Sequence, residues 1–255
     1  MGKQTKSAHK SMQDVSLERR AQLNDGAPSS HLTETLCVDF VALMRSAVPQ
    51  VDAATLSAMQ AAQSEGIVRR MQVAGELLAA SLGEAGFARL SAHSSDTVRG
   101  WAAYLLAALP DMSLAQRLEQ IKPLADDAHY APREWAWLAL RPQMAAELEH
   151  CIALLEPWTL ALSANLRRFA SESLRPRGVW CAHIKALKDK PELGLSLLEP
   201  LQADSSTYVQ DSVANWLNDA SKSQPDWVRS LCERWQQSSN PATLRICKRA
   251  SRSLA

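Results

Sequence analysis

What is scarce in these 255 residues already narrows the field. There are only 9 glycines, 3 phenylalanines and 3 tyrosines, and no alternating apolar–polar stretch long enough for a strand. Abundant Ala and Leu take their place, which favours helix. No apolar run approaches the roughly 18–20 residues that a membrane span requires, and no hydrophobic signal core opens the chain. The five cysteines, 37, 151, 181, 232 and 247, are scattered and include no CxxC. That speaks against a disulfide frame or a zinc site and for reduced thiols in the cytoplasm. No glycine-rich phosphate loop, nucleophile elbow, HExxH or metal-spaced histidines occur, so no metal or cofactor is expected.

Charge of one sign is also missing, the net charge being +1. Its distribution is uneven. Ser163 to Lys190 holds seven Lys/Arg against Glu172 and Asp189, and Lys222 to Arg252 holds seven against Asp226 and Glu233. Pro191 to Ser221, between them, has five acids and no base. Most charge runs are ordinary solvated faces. Two basic patches around an acidic belt also suit a groove with one charged wall.

What is present is a period. TVRGWAAYLLA (97–107), APREWAWLALRP (131–142) and NLRRFASESLRPRGVW (165–180) place Arg99, Arg133 and Arg167 in one register, 34 residues apart. YVQDSVANWLNDASK (208–222) and TLRICKRASRS (243–253) continue it at Gln210 and Arg245, after intervals of 43 and 35. A 34-residue period of helical segments marks a stacked helix-pair solenoid. The fold class expected is all-α. Residues 1–14 read as a basic disordered tail, and 15–255 as one repeat domain with capping helices over 15–92 and regular repeats over 93–255.

Helices are expected over 15–23, 33–48, 52–63, 67–82, 96–109, 114–125, 131–140, 144–155, 166–174, 179–188, 193–201, 208–221, 227–237 and 241–254. Turns are expected at Pro110, Pro123, Pro142, Pro157, Pro191 and Pro225. At 100° per residue, Trp135, Ala139 and Leu140 line an apolar stripe, while Glu134, Trp137 and Arg141 share another side. In the next repeat Phe169, Ala170 and Ser173 lie inward, and Arg168, Glu172 and Arg175 share the polar side. Then Val213, Trp216, Leu217 and Ala220 form a core stripe, with Asp211, Asn215, Asn218, Asp219 and Lys222 facing away. Trp101, Trp135 and Trp216 read as core, and Trp158, Trp227 and Trp235 as packing between helices.

The acids Glu134, Glu172 and Asp219 fall successively later in their repeats, a diagonal across three helices. Arg133, Arg141, Arg168, Arg175 and Arg177 suit phosphate contacts. Each acid could simply orient a neighbouring arginine. Three on one stripe, with Trp137 and Trp180 nearby, also suit a delocalised cation such as a base methylated on a ring nitrogen. A fixed carboxylate stabilises the oxocarbenium charge of N-glycosidic cleavage, and another positions the attacking water.

SDTVRGWAAY, PREWAWLALRP, RRFASESLRPRGVW, YVQDSVANWLNDASK and LCVDFVALMRSAVP resemble the AlkC branch of the AlkC/AlkD DNA alkylation-repair glycosylases. The resemblance runs from about Leu17 to the C-terminus. It implies a right-handed solenoid of HEAT-like repeats with a concave face cradling duplex DNA. The implied activity is excision of 3-methyladenine and 3-methylcytosine without full base flipping, by a monomer needing no metal or other cofactor. Glu134, Glu172 and Asp219 would be the active-site acids, and Trp180, with Trp137, would contact the lesion. Arg133, Arg141, Arg167, Arg168, Arg175, Arg177, Asn215 and Lys222 would hold the DNA. The chain ends at Ala255 after its last helix, which implies the subtype without a C-terminal immunoglobulin-like domain. Gln210 stands where three repeats have Arg, so one phosphate contact would be missing. The alternatives are a catalytically inactive DNA-structure binder and, more remotely, a protein–protein scaffold.

Overall fold

In the computed structural model, which describes residues 11–254, the chain divides into two compact units, one ending at Pro110 and the other starting at Asp111. The first ten residues of the expected basic tail lie outside the described residues. Met12–Asp14 form a short 3₁₀ turn, closed by a capping box between Ser11 and Asp14. The described residues are helices, turns and loops with no strand, an all-α helical-repeat arrangement consistent with a HEAT-like solenoid.

The first unit contains α1 (Leu17–Asn24), α2 (Leu32–Cys37), α3 (Phe40–Ala47), α4 (Ala53–Ala61), α5 (Ile67–Leu82), α6 (Ala85–Ser91) and α7 (Asp96–Ala108). The single helix expected over 33–48 is broken at Asp39. Its Oδ1 accepts from the backbone N–H groups of Val41 and Ala42, so it starts α3 as an N-cap. Helix α6 was not expected, because its seven residues are too few to show a period. Helix α7 packs on α5 and α6. The first unit ends after α7. Leu43, Met44, Met71, Leu78, Val98 and Trp101 are fully buried, and the Trp101 ring meets Phe40 edge-on at 5.4 Å.

The second unit contains α8 (Leu114–Ala125), α9 (Tyr130–Ala146), α10 (Leu148–Leu155), α11 (Ala164–Glu172), α12 (Lys185–Asp189), α13 (Leu195–Leu198), α14 (Thr207–Ser221), α15 (Pro225–Gln236) and α16 (Pro241–Ala250). Short 3₁₀ turns occupy Glu156–Leu160, Pro191–Gly194, Glu199–Leu201 and Ser251–Ser253. Helix α11 packs against α14 and touches α9, and α14 packs against α16.

Two prolines depart from the expected turns. Pro123 lies inside α8 and Pro142 inside α9. A proline in a helix interior costs about 3 kcal/mol. In α9 the fully buried Leu140 and Met144 flank it, and at roughly 1.5–3 kcal/mol each they offset that loss. The same Leu-Arg-Pro triplet recurs at 174–176 with the opposite outcome: α11 stops at Glu172, and the chain enters a loop that runs to Ile184. The helix expected over 179–188 is thereby reduced to α12.

Candidate active site

Of the register arginines, Arg245 donates to the side chains of Gln210 and Asp211, whereas Arg99, Arg133 and Arg167 donate to the backbone. Nη1 of Arg99 donates to the carbonyls of His93 and Ser94, at 2.7 and 2.8 Å. Nη1 of Arg133 donates to Asp127 and Ala128, at 2.6 and 3.0 Å. Nη1 of Arg167 donates to Ala161 and Leu162, both at 2.9 Å. Each arginine thus ties its helix to the turn just before it and gives these carbonyls a donor. Gln210 does the same with one bond, from Nε2 to the Asp204 carbonyl at 2.7 Å. Gln210 is therefore a shorter version of the same staple. Arg167 also grips Asp204 in a bidentate pair, at 2.6 and 3.0 Å.

The three acids of the diagonal are joined by arginines into one chain of alternating charge across α9, α11 and α14. Arg168 Nη2 lies 2.7 Å from Glu134 Oε1 and 3.8 Å from Glu172 Oε2. Arg175 Nη1 lies 2.8 Å from Glu172 Oε1, and its Nη2 lies 2.7 Å from Asp219 Oδ2. Lys222 Nζ completes the chain 3.3 Å from Asp219 Oδ1. The ends differ in exposure. The Glu134 side chain is 34% accessible, against 6% for Glu172 and 5% for Asp219.

Burial alone would push the Glu172 carboxyl up. The guanidinium groups of Arg168 and Arg175, with a hydrogen bond from Ser212, outweigh that and hold it below the usual carboxylate range. It is a fixed negative charge at neutral pH, suited to stabilising a developing cation and unsuited to donating a proton. Glu134 is steadied from within its own helix, where the Trp137 indole N–H donates to Oε2 at 3.0 Å.

Two residues of this arrangement escaped the sequence reading. Ser212 Oγ donates to Glu172 Oε2 at 2.7 Å and meets Ser171 Oγ at 2.8 Å. Tyr208 presents its ring to Arg168, whose Cζ stands 4.3 Å from the centroid, and its hydroxyl accepts from Arg133 Nε at 3.3 Å. Ser212 precedes Asp219 by seven residues, two helical turns, so a hydroxyl sharing the acid's face was the available signal. Tyr208 carried none, since a ring between two arginines is made by three separate helices.

The remaining candidates fall in several places. Trp137 is only 5% exposed and Arg141 only 3%, although both were expected on the polar side of α9. Asn218 and Asp219 are buried as well, because α16 and α11 cover that face of α14; Asn218 Nδ2 donates to the Ala250 carbonyl. Asn215 accepts from Arg252 at 2.9 Å, and Arg177 donates to Ser223 Oγ at 2.6 Å. Lys222 is exposed. Trp180 stands on the 173–184 loop, 49% exposed, with a φ of +63°. Trp101, Trp135, Trp158, Trp216 and Trp235 are buried, and the half-buried Trp227 packs 6.4 Å from Trp216. Among the described residues no group of three or more His, Cys, Asp or Glu could hold a metal ion, and no helix is long and apolar enough to cross a membrane.

No family model matches the sequence. Over 141 residues the chain is 40% identical to the uncharacterized protein YhaZ of Bacillus subtilis (strain 168), a match covering 55% of this chain and 38% of that one. Among solved structures, it is similar to the Pseudomonas fluorescens alkylpurine DNA glycosylase AlkC bound to DNA containing an abasic site analog. That similarity has a TM-score of 0.69 at 27% identity and covers 97% of this chain and 65% of the other. The fold is also shared with smu.31 from Streptococcus mutans UA159, at a TM-score of 0.56 and 20% identity over 78% of this chain and 90% of that one. The chain therefore spans well under half of the curated relative and about two thirds of the glycosylase. It carries a HEAT-like all-α fold related to the AlkC/AlkD glycosylase superfamily.

Proposed function

We propose that this protein is a monofunctional DNA glycosylase that hydrolyses the N-glycosidic bond of cationic N-alkylated bases, among them 3-methyladenine and 3-methylcytosine, in duplex DNA. It acts as a cytoplasmic monomer and without turning the base fully out of the helix. The observation that carries this reading is the alternating chain from Glu134 through Arg168, Glu172 and Arg175 to Asp219, whose most accessible acid is Glu134. The similarity to a glycosylase bound to abasic-site DNA supports the substrate class.

In this reading the exposed carboxylate of Glu134 meets the cationic nucleotide. Glu172, fixed by Arg175, stands 3.8 Å from Arg168 and helps to hold it beside Glu134, while Asp219 holds Arg175 from its other side. As the bond between C1′ and the base nitrogen breaks, its electron pair leaves with the base, which departs neutral. No general acid is needed. Water oxygen adds to C1′ of the oxocarbenium ion, and Glu134 accepts the water proton. Trp180 packs against the damaged nucleotide, while Lys222, Arg177 and Asn215 lie where the phosphates run.

Release of free base from methylated duplex DNA tests this. Glu134→Gln should lower the single-turnover rate constant by about 10²–10³-fold while DNA affinity is kept. Wild-type turnover in both Glu134→Gln and Glu172→Gln would sink the catalytic assignment. One observation favours a second reading, a catalytically inactive DNA-structure binder: each acid already has a cationic partner in Arg168, Arg175 or Lys222. That reading expects salt-dependent binding with no base released from any methylated substrate.

A further inference from the structure

Arg141 is more deeply buried than any other arginine among the described residues, at 3% exposure, and it makes no ion pair. All its bonds go to main-chain carbonyls of one loop. Nη1 donates to Ser173 and Nη2 to Arg175, at the loop's start; Nε and Nη2 both donate to Ala182, at 3.4 and 3.3 Å, near its end. The loop is closed at its base by the Ile184 N–H on the Pro176 carbonyl, at 3.1 Å.

Between the gripped ends the chain turns through Gly178, Val179 and Trp180. A Cβ on Gly178 would fall 2.2 Å from Cys181 Sγ and 3.4 Å from Arg141 Cζ, so the turn closes tightly over the guanidinium. Val179 and Trp180 project outward, 60% and 49% exposed, and Trp180 adopts a left-handed backbone conformation rare for a bulky residue. Such a conformation is strained and persists only where the surroundings impose it.

Packing does not explain this arginine. A buried guanidinium with no acid in direct contact is expensive, and an apolar side chain of similar size often serves stability as well or better. Lysine could replace it only in part, because one nitrogen cannot address three carbonyls as the planar fork does. The repeat-equivalent Arg175, the middle residue of the second Leu-Arg-Pro, meets Glu172 and Asp219. Arg141 forms no ion pair of its own, and every hydrogen bond its guanidinium makes goes to the loop.

We infer that Arg141 is a positioning residue: by clamping both ends of the 173–182 loop it holds the Val179–Trp180 tip outward, in the conformation that packs against the alkylated nucleotide. This rests on the glycosylase reading for the role of the tip, whereas the clamp itself is independent of it.

The experiment compares Arg141→Met, Arg141→Lys, Trp180→Ala and the Arg141→Met/Trp180→Ala double variant in the full chain. Hydrogen exchange is followed by mass spectrometry, and single-turnover base release is measured on methylated duplex DNA. In Arg141→Met, amides of residues 177–182 should exchange about tenfold faster or more, with those of α14 unchanged. Base release should fall about tenfold, yet the same substitution should change it less than about twofold once Trp180 is alanine, because a clamp acting through the tip has nothing left to position. Lysine should restore part of the rate. Unchanged exchange over 177–182 overturns the clamp. Faster exchange with independent, multiplying effects of the two substitutions overturns its action through Trp180. If Arg141→Met fails to fold, Arg141→Lys is judged by the same two measurements. Should the wild type release no base, the glycosylase reading falls, and the exchange result still decides whether Arg141 holds the loop.

Discussion

Arg141 and Arg175 stand 34 residues apart at the same place in successive repeats, and the side chain of the first donates to the carbonyl of the second at 2.6 Å. The same triplet, Leu-Arg-Pro, thus serves two purposes. In α9 it stays helical and sends its arginine under the next repeat's loop. After α11 it leaves the helix and sends its arginine to the acids of α11 and α14. Where each helix stops decides which use the triplet serves.

Removing charge from the two glutamates should separate stability from chemistry. Glu172 is buried between Arg168 and Arg175. Glu172→Ala leaves Arg168 with Glu134 alone and Arg175 with Asp219 alone, and should cost about 3 kcal/mol. Glu134 is a third exposed, and Glu134→Gln should cost less than about 1 kcal/mol. Urea unfolding read beside base release checks this, with large catalytic loss and little stability loss expected only for Glu134.

The register arginines should behave as braces and not as phosphate contacts. Arg167→Ala removes two bonds to carbonyls and the pair with Asp204, for an expected loss of about 2–4 kcal/mol. The salt dependence of DNA binding should hardly change. Lys222→Ala should do the reverse, leaving the midpoint of unfolding in place and reducing the salt slope by about 1. A reduced slope in Arg167→Ala would mean that its side chain reaches the DNA.

Acid should loosen the first unit through Glu34. Arg19 hydrogen-bonds its carboxylate, with Nη2 at 2.8 Å from Oε2, and holds the carboxyl at about 2 instead of its ordinary 4.5. A lowered folded value means that this stability is complete above about 4.5 and is lost as pH falls through about 2. Glu34→Gln should therefore be less stable than wild type at pH 7, by on the order of 2–3 kcal/mol. The difference should vanish near pH 2. Thermal melts across that range measure it. Glu172, also held low, should add a loss of the same sign in the second unit below the ordinary glutamate value.

Gly75 should tolerate no side chain. A Cβ there would lie 2.3 Å from Tyr104 Cβ and 2.5 Å from the Tyr104 carbonyl carbon. Relief would require α5 and α7 to move apart, since backbone cannot rotate away as a side chain can. Gly75→Ala should cost about 3 kcal/mol, readable as a fall in melting temperature.

The period of 34, the all-α class and most helix spans were legible in the sequence, because helical periodicity and capping residues act over one or two turns and leave a local trace. The diagonal of Glu134, Glu172 and Asp219 was legible for the same reason, as a set of positions along three helices. Their connection was not. That Arg168 and Arg175 link them, that Ser212 and Tyr208 belong among them, and that Trp137 and Arg141 turn inward all depend on which neighbouring helix covers which face. The same holds for Pro142, which looked like a turn and became helix interior. The local cost of a proline is written in the chain, whereas the burial of Leu140 and Met144 that offsets it exists only once the helices have packed.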